Sequence, residues 1–160
     1  MRVLVLGLGN RLFGDDALGS CAADMIRGSD NIVVKDGSVG SSNLVFYLSG
    51  FDVVVFVDVS KDLEADFVLE ELEASERVDL EPHKSDPKTI LSAAKALGVF
   101  EGKAYILKIK AERLCFPCKP SKEGLERLEK AVDALIKFLK KYGNAEKVRS
   151  ASSSCTSNLA

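Results

Sequence analysis

Apolar residues in this chain fall into short runs separated by stripes at helical spacing, and the alternation predicts the order of elements. Val3-Leu4-Val5-Leu6 and Val53-Val54-Val55-Phe56-Val57 are continuous runs, the pattern of strands buried on both faces of a sheet. They place a first strand over 2–6 and a third over 53–57, with a second over 31–35 and a later one over 104–109. Between the first two, Leu18, Cys21, Ala22, Met25 and Ile26 share one face of a helix running from Asp15 to Arg27. A short helix near Ser42 to Leu48 precedes the third strand. Phe67 to Leu72 alternates apolar and acidic residues, which suits a half-exposed, antiparallel edge strand. Asp86-Pro87 supplies a cap and a first-turn proline for a helix ending before Gly98. The last helix spans Ser121 to Tyr142, with Leu125, Leu128, Val132, Leu135, Ile136 and Leu139 as its buried stripe and Gly143 as its stop. Strand and helix signals in alternation predict an α/β fold, a mostly parallel sheet with helices on both faces. Residues 1–143 form one domain on this reading, and 144–160 a flexible, Ser-rich tail with too little apolar surface to order.

The loop after the first strand carries the most chemistry. Gly7-Leu8-Gly9-Asn10 leads through Gly14 to Asp15 and Asp16 at the predicted start of a helix. Nucleotide folds place a phosphate there, drawn by free backbone N–H groups and the helix dipole. Two carboxylates in that position repel a phosphate, and Leu12 stands where the dinucleotide fingerprint needs its third glycine. The loop suits a cation. In an open parallel sheet, ligands bind beyond the carboxyl ends of the strands. The second strand ends in Asp36, and the third in Asp58 immediately after five apolar residues. A carboxylate at the mouth of a buried strand needs a partner. Each acid alone has a structural explanation as a helix cap or turn former; their coincidence at corresponding strand ends points to a site. His83, the only histidine, precedes the Asp86-Pro87 helix on the same predicted edge. Two carboxylates and an imidazole leave open positions on a borderline cation such as zinc or nickel.

Composition narrows the classes. The 160 residues are 46% hydrophobic and 29% charged, with a net charge of −2. That balance makes no electrostatic case for nucleic acid or an anionic membrane as partner. No apolar run approaches the roughly 20 residues of a membrane span, and the N-terminal run does not read as a secretory signal. Four cysteines are too few for a secreted disulfide framework, so a reducing cytoplasm is expected. Cys21 reads as core and Cys155 as tail. Cys115-Phe116-Pro117-Cys118 is a lone C-x-x-C without the second pair of a structural zinc site; it reads as a loop with two incidental thiols, with a redox or metal role as the alternative.

Taken together, these residues resemble a known family. Val3 to Gly19 is similar to the opening of the [NiFe]-hydrogenase maturation endopeptidases, an apolar strand, G-x-G-N, then G-D-(D/E)-x-x-G. Asp36-Gly37-Ser38-Val39-Gly40 looks like that family's next segment, followed by Val57-Asp58 and by His83 before Asp86-Pro87. The resemblance spans residues 1–142 in order. It implies a three-layer α/β/α sandwich around a twisted five-stranded sheet. It also implies an endopeptidase that removes the C-terminal extension of a hydrogenase large-subunit precursor after nickel insertion. Asp16, Asp58 and His83 would be both the nickel-recognising and the catalytic residues, with Asp36 a further acidic position. The nickel arrives with the substrate, so no tightly bound cofactor is expected in the free enzyme, which would act as a cytoplasmic monomer. Hydrolysis would use a metal-polarised water or an aspartate general base. The Cys115–Cys118 pair departs from the family pattern and is expected to line the precursor-binding groove. Two other classes compete: a nickel-protein chaperone that does not cut, and a doubly wound module binding a nucleotide or other small molecule.

Overall fold

In the computed structural model, residues 1–38, 43–76 and 86–155 are described. Strand β1 (Val3–Leu8) leads through a 3-10 turn (Gly14–Ala17) into α1 (Leu18–Met25) and the short β2 (Ile26–Arg27). β3 (Ile32–Ser38), α2 (Leu44–Tyr47), β4 (Val53–Ser60) and β5 (Phe67–Leu72) follow. Then come α3 (Pro87–Ala96), β6 (Lys103–Lys110), α4 (Lys122–Leu139), β7 (Glu146–Lys147) and α5 (Ala151–Cys155). Five strands form one sheet in the order β3-β1-β4-β6-β5. All its pairings are parallel except that of β5, which runs antiparallel to β6 at the edge, as its alternating pattern predicts.

The continuous apolar runs are explained by two cores. Val3, Val5, Val53, Val55 and Val57 enter one with α1, α4 and α5. Leu4, Leu6, Val54 and Phe56 enter the other with α2 and α3. Successive side chains of a strand point to opposite faces, so a strand covered on both sides must be apolar at every position. The structure is thus an α/β sandwich around a mostly parallel sheet. The predicted cap forms: the Asp86 carboxylate accepts from the Thr89 N–H at 2.8 Å. Ser121, expected as the first residue of the last helix, caps it instead, its hydroxyl accepting from the Gly124 N–H at 2.9 Å.

Three expectations are corrected. The first helix begins at Leu18 rather than Asp15, because Gly14 to Ala17 takes the tighter 3-10 geometry, and it ends at Met25, where the chain turns extended into β2. Residues 144–155 do not form a flexible tail. β7 pairs antiparallel with β2, Lys147 bridges Glu129 and Asp133 at 3.0 and 2.8 Å, and α5 buries Ala151, Ser154 and Cys155. Finally, the cysteines are not free thiols: Cys21 pairs with Cys155 and Cys115 with Cys118, so all four are disulfide-bonded. The two surprises share one cause. The segment has little apolar surface of its own, and a covalent tie to α1 replaces the missing hydrophobic anchor. No helix among the described residues is long and apolar enough to cross a membrane.

Candidate active site at the mouth of the sheet

Gly7 lies level with Asp36 on β3 and with Val57 on β4, so the ends of three adjacent strands open at one height. A cleft of about 230 Å³ forms there, lined by Leu8, Gly9, Asn10, Asp16, Ser38, Asp58 and Asp86. The turn that carries Asp16 is folded tightly against β1. Gly9 has φ 148°, and a Cβ there would collide with the Asp16 carbonyl oxygen, so only glycine fits. The Asn10 N–H donates to the Asp16 carboxylate at 2.9 Å, which fixes the side chain at the rim. Gly9 in turn donates its N–H to the Ser38 carbonyl at 2.8 Å, joining the ends of β1 and β3.

Asp58 occupies the inner wall. Its carboxylate accepts from the Val59 N–H at 2.8 Å. Burial pushes its carboxyl up to about 7; the Val59 hydrogen bond opposes this, and the charges of Asp16 and Asp86 add to it. An acid that titrates near neutrality is suited to proton transfer. Among the described residues no Lys or Arg lines the cleft.

The other acids have structural duties. Asp15 is fully buried. Its carboxylate accepts from the N–H groups of Glu112, Arg113 and Ser121 at 3.0, 3.1 and 2.7 Å, and from the Ser121 hydroxyl. It therefore ties the turn to the loop after β6 and to the start of α4, and is not part of a cation-binding loop. Asp36, the further acidic position suggested by the resemblance, is not brought into the cleft. It lies on the α1 face of β3, whereas Asp58, in phase with Val54 and Phe56, lies on the opposite face of the sheet. One Asp36 oxygen accepts from Ser20 Oγ at 2.7 Å and from the Ser38 N–H at 2.8 Å. The other meets the Arg11 guanidinium at 3.0 Å, which also holds Asp24 at 2.8 Å. Asp36 thus shapes Ser38, whose φ of 52° is left-handed, and through it the rim.

The structure therefore brings Asp16 and Asp58 together. His83 lies outside the described residues. Among the described residues no three His, Cys, Asp or Glu side chains converge as a metal centre, so a complete three-ligand set would need a group from elsewhere. Asp86, which the sequence marks only as a helix cap, lines the cleft as well. Its sequence signal is fully used by the cap; its place beside Asp58 follows from the packing of α3 on the sheet.

No family model matches the chain, and no curated protein sequence matches it. Solved structures do. The hydrogenase maturating endopeptidase HybD from E. coli aligns with 22% identity and a TM-score of 0.74, over 92% of this chain and 98% of that one. The [NiFe] hydrogenase maturation protease HycI from Thermococcus kodakarensis KOD1 gives 20% and 0.69, over 87% and 92%. The hydrogenase 2 maturation peptidase from Thaumarchaeota archaeon SCGC_AB-539-E09 gives 25% and 0.66, over 88% and 99%. Each alignment spans nearly the whole of both chains, so this protein has the fold of the hydrogenase maturation endopeptidases.

Proposed function

We propose that this protein is an endopeptidase that removes the C-terminal extension of a [NiFe]-hydrogenase large-subunit precursor, and that it recognises the nickel already inserted there. The observation that carries this reading is the Asp16–Asp58 pair, two carboxylates at one strand mouth with no basic side chain lining their cleft among the described residues. In a fold shared with maturation proteases, such a pair is suited to a divalent cation presented by the substrate. The charge of Asp16 adds to the proton affinity of Asp58, and a cation relieves that repulsion.

On this reading, the free enzyme holds Asp58 half-protonated near neutral pH. Docking of the nickel-bearing precursor displaces the proton, and Asp58 and Asp16 contact the metal together with His83. The scissile peptide then lies across the cleft beside Asp86. Water attack needs a polarised carbonyl and a base; the nickel supplies the first as part of the substrate. A carboxylate not engaged by the metal accepts the proton. The enzyme would bring no tightly bound cofactor of its own and would act as a cytoplasmic monomer.

Intact-mass analysis of large-subunit precursors, incubated with the protein with and without nickel loaded, tests the proposal. Loss of a C-terminal peptide from the nickel form alone is the expected result. Binding of that form without cleavage would instead identify a chaperone, and neither binding nor cleavage would refute the reading.

A further inference from the structure

The loop between β6 and α4 holds a second chemical feature. Cys115 and Cys118 form a disulfide within Cys115-Phe116-Pro117-Cys118, with Cys115 exposed and Cys118 half-buried. The other disulfide is enclosed, with Cys21 and Cys155 only 0% and 7% exposed. One bond is therefore accessible to a reductant in solution and the other is not. The Arg113 guanidinium lies on the exposed sulfur, Nε to Cys115 Sγ at 3.4 Å. A cation in that position stabilises a thiolate and so favours thiol chemistry at Cys115.

This loop is joined to the Asp16 turn at several points. The Cys118 N–H donates to the Leu12 carbonyl and its carbonyl accepts from the Gly14 N–H, both at 3.1 Å. Phe13 and Phe116 stack with ring centroids 4.6 Å apart. The Asp15 N–H donates to the Arg113 carbonyl at 2.6 Å, and the Asp15 carboxylate accepts from the Arg113 N–H at 3.1 Å. A Cβ on Gly14 would stand 3.0 Å from Cys118 Sγ, so the sulfur packs directly on the turn. The disulfide thus packs on Gly14, two positions before Asp16.

We propose that Cys115–Cys118 is a reversible thiol–disulfide exchange site whose co-substrate is a dithiol, and that its redox state sets the order of the Gly14–Asp16 turn. A reductant thiolate attacks Cys115 Sγ; the S–S bond breaks and its electron pair leaves on Cys118, giving a mixed disulfide. The second thiolate of the reductant then attacks its own bound sulfur, closes the reductant's internal disulfide and releases the Cys115 thiolate beside Arg113. Cys118 takes up a proton, and Cys115 is protonated or remains paired with Arg113. Two electrons pass from the dithiol to the enzyme. Opening the bond frees the Phe116 stack and the Leu12–Cys118–Gly14 backbone bridge from their covalent closure, and the turn loosens with them.

The exchange and its effect on the turn stand apart from the peptidase reading; only a consequence for processing rests on it. The test uses the full chain and dithiothreitol. After brief treatment without denaturant, alkylation and peptide mapping should find label on Cys115 and Cys118 but not on Cys21 and Cys155. Amide hydrogen exchange should rise on the order of tenfold over residues 12–16 and stay unchanged in β4. The Cys115→Ser/Cys118→Ser variant should show the faster exchange without reductant and no response to it. Labelling of all four cysteines only on unfolding would overturn the exchange site. Unchanged exchange at residues 12–16 in both the reduced protein and the variant would overturn the coupling. If these readouts respond as expected while no precursor is cut in either state, the exchange site holds and the peptidase reading fails.

Discussion

Replacing Asp58 by Asn should stabilise the protein, and only above mildly acidic pH. The Asp58 carboxyl is moved from 3.8 to about 7, chiefly by burial. Below the unfolded value both states carry the proton and the residue contributes no difference. Between about pH 4 and pH 7 the unfolded chain releases the proton while the folded chain keeps it. The stability associated with this carboxyl is therefore fully present in acid and is lost as pH rises through the folded value. At about 1.36 kcal/mol per unit, the shift sets a ceiling on the order of 4 kcal/mol. Asn carries no charge at any pH and escapes the loss. Urea unfolding at several pH values from about 4 to about 8.5 measures this as the midpoint difference between variant and parent, with disulfides intact and m-values equal. The difference should be near zero in acid, rise by roughly 1.4 kcal/mol per pH unit in between, and level off above neutrality. A gain that does not change with pH, or a loss of stability at alkaline pH, would refute the electrostatic account of Asp58. The same variant should fail to process precursor, since residues strained for function stabilise the fold when replaced.

Other perturbations separate site from scaffold. Asp16→Asn and His83→Ala should each abolish precursor cleavage while leaving the unfolding free energy in urea within about 0.5 kcal/mol of the parent; near-normal cleavage by either would contradict its assignment. Asp15→Ala should act on stability, because three backbone N–H groups lose their buried acceptor. A loss of about 3 kcal/mol or more is expected, read by thermal unfolding. Cys21→Ser with Cys155→Ser opens a loop with a sequence separation of 134 residues. The chain-entropy model puts the cost at about 5 kcal/mol, and limited proteolysis should then cut within 144–155 first.

The sequence alone determined the architecture and half of the cleft. Two-sided burial of β1 and β4 is written as uninterrupted apolar runs, the edge position of β5 as alternation with glutamates, and the limits of α3 as an Asp-Pro cap and a following glycine. Asp16 and Asp58 were legible because one lies in the turn that follows β1 and the other directly follows the apolar run of β4, strands whose burial the local pattern already declares. Tertiary structure decided what local pattern cannot encode. Asp36 and Asp58 stand at matching strand ends, yet opposite parity sends one to Arg11 and Ser20 and the other into the cleft. Asp15 and Asp16 are adjacent, yet one is consumed by backbone donors about 100 residues away and the other faces the opening. Asp86 reads as a cap and is one; its nearness to Asp58 comes from how α3 lies on the sheet. The Ser-rich C-terminal segment seemed too polar to order, because a disulfide partner 134 positions distant leaves no periodic trace. Periodicity reports which face of an element is buried, whereas a site depends on which faces meet.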